Sequence, residues 1–196
     1  DAVSSLLTEA LSLCNLAAVG IFGIVLSAAF CEIEWTRCHK LLLMGCTILM
    51  LALQGVVSLR WGTGLARYLY PLITHLPLWL LLAAMTRRAL WPLVSVLTAY
   101  LCCQLRRWAA LLVIALFPAG GTVLQDATEL IVTLPILLVL IRWIAPSVRA
   151  LSRSPLLLQL QFGMIPLLSY LFDYFTRIYT DLLSSGNQAA VEFMPF

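Results

Sequence analysis

Long apolar runs separated by short polar breaks fill this chain from Leu6 onward, and no polar stretch between them is long enough to form a soluble domain. A helix that crosses a bilayer needs about 20 predominantly apolar residues, with a range of about 17–25. Hydrocarbon offers no water to the backbone, so each run must satisfy its own N–H and C=O groups as a helix. Composition tests that reading. Hydrophobic residues make up 62% of the chain and charged residues 11%, against roughly 45–50% and about 25% in soluble domains. So few charges cannot cover a surface in water. The chain is expected to form one all-α, polytopic membrane domain over residues 1–196, multi-pass in the cell membrane with the lipid bilayer as its partner.

The polar breaks divide the chain into seven candidate spans. The first, Leu6–Phe30, reads as a retained span, because a cleaved leader would be one short apolar stretch followed by polar sequence. Leu41–Leu59 is the second. Tyr68–Met85 is the third and carries Pro71 and Pro77, where a kink is expected. Ala89–Gln104 is the fourth, ended by Arg106-Arg107, with Trp91 and Trp108 placed to sit in an aromatic belt. Trp108–Gln125 is broken by Pro118 and Gly120-Gly121, so it either spans with a kink or turns back as a re-entrant segment. Leu130–Ala145 contains Pro135 and stops at Pro146. The last candidate, Pro155–Leu183, starts on a proline suited to a helix first turn. A further apolar run begins at Ala189, so the chain is expected to be a piece of a longer protein whose next helix would be the eighth.

Lys and Arg set the expected orientation. With seven spans, the even-numbered loops hold Arg60, Arg67, Arg106, Arg107, Arg142, Arg149 and Arg153, while the odd loops and the tail hold Arg37, Lys40, Arg87, Arg88 and Arg177. That bias places the even loops and the N-terminus in the cytoplasm and turns the region around Asp173 outward.

Several function classes lose support at this point. Basic residues come singly and in pairs, and no glycine-rich phosphate loop is present, so nucleic-acid binding is not expected. Cys14, Cys46, Cys102 and Cys103 lie in or beside apolar runs, where free Cys behaves as a small hydrophobe. Cys31 and Cys38 bracket a polar loop with His39, but they lack the close spacing of a metal site. A disulfide across that loop is the alternative if it faces an oxidising side; unpaired thiols are the favoured reading, with no metal and no cofactor. For catalysis, there is no Ser/His/Asp set, no HExxH and no pair of acids within the spans.

Two groups of residues could carry chemistry. His75 falls inside the third candidate span, where an ionisable side chain is costly and functional by default. The alternative is a neutral imidazole bonded to a carbonyl freed by Pro77. Asp173, Arg177 and Asp181 follow at four-residue spacing, which puts them on one helix face with each Asp in reach of the Arg. They form either a local ion-pair ladder or, with Tyr170, Tyr174 and Tyr179, a polar lip that recognises an external ligand. Both readings stay open.

Three stretches together resemble a known family. They are Tyr70-Pro71-Leu72-Ile73-Thr74-His75-Leu76-Pro77, then Ala99-Tyr100-Leu101-Cys102-Cys103-Gln104 with Arg106-Arg107-Trp108, and the run from Ile165-Pro166 through Phe172-Asp173-Tyr174 and Tyr179-Thr180-Asp181-Leu182-Leu183 to Glu192-Phe193. They resemble the N-terminal membrane region of GHKL-type sensor histidine kinases from clostridia-like Gram-positive bacteria. The resemblance implies a sensor module for a peptide or another envelope signal, and its motifs carry no chemistry of their own. It also implies a cytoplasmic dimerisation helix with a phospho-accepting His and an ATP-binding domain after the last span, neither of them in this sequence, and a homodimer formed through them. His39 and His75 lie in no such segment. A small transporter or permease subunit is the competing expectation.

Overall fold

The computed structural model describes the backbone of residues 2–116 and 121–184, with side chains throughout except at 2–7, 63, 64, 67, 121, 122 and 177–184. All the regular structure among these residues is helical. It comprises α1 (Ala2–Phe30), α2 (Arg37–Tyr70), a π-helical turn (Pro71–His75), α3 (Leu76–Thr86), α4 (Leu90–Ala115), α5 (Gly121–Val139), a second π-helical turn (Leu140–Ile144), α6 (Ala145–Leu151) and α7 (Leu156–Ser184).

Six stretches among the described residues are long and apolar enough to cross a membrane: Thr8–Phe30, Arg37–Gly62, Tyr68–Thr86, Leu90–Ala115, Val123–Leu151 and Leu156–Thr176. The helical membrane bundle stands as expected, but with six spans. The difference arises at Arg106-Arg107, expected to end the fourth span. The helix runs straight through them to Ala115, because adjacent helical residues point about 100° apart. Arg106 turns into the bundle while Arg107 stays exposed. Trp108–Gln125 is therefore no separate span: its first part ends α4 and its last part begins α5, with Pro118 and Gly120 outside the described residues. Pro146 does not stop the next helix either. It sits in the first turn of α6, directly after the second π-helical turn, and the helical path continues through it to Leu151.

Local chemistry explains the breaks. Thr36 caps α2, its hydroxyl accepting from the His39 N–H at 3.2 Å. Gly62 interrupts α2 at φ +89° and ψ 161°, a conformation open to glycine and strained for any residue with a Cβ. The chain folds back there, so Val57 packs with Ala66 and Ile73, while Met50 shares a cluster with Leu78 and Leu82. Arg87 ends α3 in the left-handed conformation at φ 54°. At Pro71, where a kink is expected, the chain forms the first π-helical turn, and Pro77 follows in the first turn of α3.

The outer surface is apolar, with Leu49, Leu112, Ile131 and Phe172 all well exposed. A water-soluble protein does not present so large an apolar surface. Between helices, Phe22, Leu26 and Phe30 of α1 pack on Trp91 and Val94 of α4 and on Leu140, Ala145 and Val148 near α6. Trp91 belongs to this core and not to an aromatic belt. It is buried, its indole N–H donates to the Phe30 carbonyl at 3.1 Å, and its ring stacks on Phe162. Four hydroxyls inside the bundle satisfy themselves on the preceding turn: Ser27, Thr47, Thr98 and Thr128 each donate to the carbonyl four residues back at 2.7 Å.

The turns at 31–36, 87–89 and 152–155 gather at one end of the bundle, here the basal end. There Arg153 Nε donates to Glu32 Oε1 at 2.8 Å, and Arg88 Nη1 donates to the Ser152 carbonyl at 3.3 Å. Cys31 is buried, Cys38 is exposed, and both are free thiols. His39 is held by the Glu34 carbonyl at 2.6 Å. Among the described residues, no group of three or more His, Cys, Asp or Glu could hold a metal ion.

Candidate functional site

Polar residues that α1, α4 and α5 bring inward form a buried cluster toward the end opposite the basal one. Arg106 is 4% exposed. Its Nη2 donates to Glu129 Oε2 at 3.0 Å, and its Nη1 donates to Asn15 Oδ1 at 2.7 Å and Thr133 Oγ1 at 3.2 Å. Asn15 spends its own amide on two acids, donating to Asp126 Oδ1 and Glu129 Oε2, each at 2.9 Å. Gln125 supports the second Glu129 oxygen at 3.4 Å. A charge inside a bundle is stable only when paired and hydrogen-bonded. This set meets that demand for Glu129 and for both terminal nitrogens of Arg106, while Arg106 Nε is buried with no hydrogen-bond partner among the described residues. Asp126, half-buried, accepts from a neutral amide and forms no ion pair within 4 Å among the described residues.

A second group lies deeper. His75, at the end of the first π-helical turn, shares a 3.0 Å hydrogen bond between its Nδ1 and the Tyr170 hydroxyl. Its partner is thus a side chain of α7 and not a carbonyl freed by Pro77. Three tyrosine rings stand edge-on around the imidazole: Tyr70 at 4.9 Å, Tyr100 at 5.3 Å and Tyr170 at 5.4 Å between centroids. Tyr100 and Tyr170 are 4.7 Å apart, and the Tyr100 hydroxyl donates to Asp173 Oδ2. One connected group of His75, Tyr170, Tyr100 and Asp173 therefore joins the π-helical turn, α4 and α7.

A cavity of about 1100 Å³ connects the two groups. Its wall includes Asn15, Asp126 and Glu129 on one side and Tyr70, His75, Tyr100, Tyr170 and Tyr174 on the other. Exposed lining residues Glu9, Leu59, Arg107 and Thr176 mark its mouth, and Ser27, Leu78 and Val96 mark its inner end. That volume slightly exceeds the usual range of small-molecule sites, about 300–1,000 Å³.

Of the residues the sequence singled out, His75, Tyr170, Asp173 and Tyr174 come together in or beside this cavity. The side chains of Arg177, Tyr179 and Asp181 lie outside the described residues, as does the four-residue ladder built on them. Asp173 is engaged by Tyr100 on another helix. Sequence reasoning missed Asn15, Arg106, Asp126 and Glu129. A signal was present: Asp126, Glu129 and Thr133 share one face of a helix at three- and four-residue spacing. An acid beginning an apolar span calls for a cation from another helix. Comparison with known proteins finds no matching family model, no matching curated protein and no matching solved structure.

Proposed function

We propose that this chain is the membrane-embedded sensing module of a two-component sensor histidine kinase, taking up an envelope or extracellular signal and passing it to a cytoplasmic kinase region. The observation that carries the reading is the cavity of about 1100 Å³ lined by His75, its tyrosines and a buried ionic cluster. Six helices that served only as an anchor would gain nothing from ionisable groups between them, since each is costly there. The resemblance of the His75 and Asp173 stretches to GHKL-type kinases supplies the kinase half of the proposal.

Orientation supports an outside signal. With six spans, Arg37, Lys40, Arg87, Arg88, Arg149 and Arg153 cluster at the basal end, against Arg60, Arg67, Arg107 and Arg177 at the other. The positive-inside rule then puts the basal end in the cytoplasm and the cavity mouth outside. Relative to the seven-span assignment this moves the N-terminus, Arg60, Arg67 and Arg107 outside and brings Arg37, Lys40, Arg87 and Arg88 inside, while Arg149 and Arg153 stay cytoplasmic and Asp173 still faces outward. The next span toward a kinase is then the seventh.

Signalling in this scheme is a population shift: the ligand must bind one helix arrangement more tightly than the other. Moving from about 1% to about 99% occupancy of the active arrangement takes about 5.5 kcal/mol of differential binding. The π-helical turns at Pro71–His75 and Leu140–Ile144 are the places to bend, since such turns interrupt the regular hydrogen-bond ladder.

A carrier is the second reading, and those same two turns favour it. Interrupted helices beside a charged site inside the membrane are the hallmark of transporter binding sites. The coding frame beyond Phe196 separates the two. One further span followed by a dimerisation helix and an ATP-binding domain is the expected outcome. A stop codon after a single further helix would sink the sensing reading and leave the carrier.

A further inference from the structure

We infer that the cavity takes an organic cation, its amine paired with Asp126 and its flat, hydrogen-bonding body reaching His75 and the surrounding tyrosines. The inference rests on the cavity being the ligand site proposed above.

The charge preference follows from which ions already have partners. Glu129 is matched by Arg106 at 3.0 Å, so that pair leaves no net charge on the wall. Asp126 remains, half-buried, holding one hydrogen bond from a neutral amide and no cation within 4 Å among the described residues. Glu9 adds a second negative charge at the mouth. Among the described lining residues Arg107 is the opposing charge, and its exposed guanidinium sits at the rim, where water screens it. An amine entering past Glu9 meets a carboxylate whose hydration the wall has partly stripped. A carboxylate ligand would meet repulsion at the same place.

The second end of the ligand is set by depth. Arg106 and Tyr100 are six residues apart on α4, which is about 9 Å of helix rise. The ionic cluster and the His75 group are therefore separated by about that distance along the bundle. At the deeper level His75 uses Nδ1 on Tyr170, and no hydrogen bond reaches its Nε2 among the described residues. Tyr70, Tyr100 and Tyr170 line the cavity there, giving an aromatic body the edge-on contacts that rings prefer. A molecule with an amine at one end and a ring hydroxyl at the other, long enough to bridge that rise, meets both requirements.

The test uses tyramine, which has that shape, on the whole chain in nanodiscs by titration calorimetry. Two relatives serve as controls: 4-hydroxyphenylacetate, which swaps the amine for an acid, and phenethylamine, which lacks the phenol. Tyramine is expected to bind saturably and the acid at least tenfold more weakly. Asp126→Asn should weaken tyramine tenfold or more. His75→Leu should weaken tyramine several-fold while leaving phenethylamine unchanged. The comparison of amine with acid needs no variant, so it decides the charge preference whatever Asp126→Asn does to folding. Equal or tighter binding of the acid would overturn the cation assignment and leave the sensing reading standing. So would tyramine binding that Asp126→Asn does not change, and so would a lack of binding by all three probes. The sensing reading itself stands or falls on the coding frame beyond Phe196.

Discussion

Removing one partner of the Arg106–Glu129 pair leaves the other charged among helices, with only neutral hydrogen-bond partners such as Asn15 in place of the opposite charge. Breaking a buried pair in this way costs about 3–5 kcal/mol, whereas replacing both members by apolar side chains is often nearly neutral. Arg106→Met is therefore expected to lower the unfolding free energy in detergent by about 3–5 kcal/mol. Arg106→Met with Glu129→Met should lower it by less than Arg106→Met alone. A double variant no better than the sum of the singles would show that the pair contributes nothing as a pair. At the basal end the same two charge types behave differently, because Glu32 and Arg153 are exposed. The hydrogen bond from Arg153 is the main cause holding the Glu32 carboxyl below its usual range, with the Coulombic attraction of the same guanidinium adding to it. The folded state thus prefers the ionised form. Its contribution is present above the ordinary Glu range near about 4.3 and fades as pH falls through the lowered value. Unfolding followed between pH 6 and pH 3 is expected to show a smaller loss of stability in Glu32→Gln than in the unaltered chain. Equal pH slopes would remove the pair from the account of acid sensitivity.

Helix α7 meets α4 where Gly163 faces Val94, and a Cβ added at Gly163 would fall 2.8 Å from Val94 Cγ2. The valine methyl is short and its χ1 is stiff, so the helices themselves must separate. Gly163→Ala is expected to cost about 1–3 kcal/mol, the usual range for overpacking, and Val94→Ala in the same chain should return part of it. Failure of that rescue in a thermal unfolding series would mean that the contact does not set the helix spacing. The same elements show what the sequence made legible. Helices α1 and α7 and the α2–α3 hairpin followed from runs of apolar residues bounded by polar ones, because run length and bilayer thickness are one constraint. The end of α4 was hidden, since two adjacent arginines look alike in a sequence whether both reach water or one turns inward to Glu129. His75 was legible as a costly residue, but its partner was not. Tyr170 lies ninety-five residues away, and only the packing of α7 brings its hydroxyl to the imidazole. The cavity was illegible altogether, being empty space that α1, α2, the first π-helical turn, α3, α4, α5 and α7 line jointly.

At the scale of the whole molecule the number of spans decides what faces what. With seven spans the 31–36 turn and the 152–155 turn lie on opposite sides of the membrane. With six they lie together, as the Glu32–Arg153 contact requires. Cys38, exposed at the start of α2, reports on the first turn, and Ser154→Cys would report on the other. In chains whose remaining cysteines are changed to Ser, a membrane-impermeant maleimide should label both positions from the same side. That side is expected to be the cytoplasmic one, so intact cells should protect both and inverted vesicles should expose both. Thr8→Cys, at the other end of the first span, should give the reverse pattern. Labelling of Cys38 and Ser154→Cys from opposite sides would break the six-span bundle and remove the shared mouth of the cavity with it. Labelling of both from outside would keep the bundle but turn the mouth toward the cytoplasm. The occupant of the cavity would then be an intracellular molecule, and an envelope signal could not reach Asp126 or His75 through that mouth.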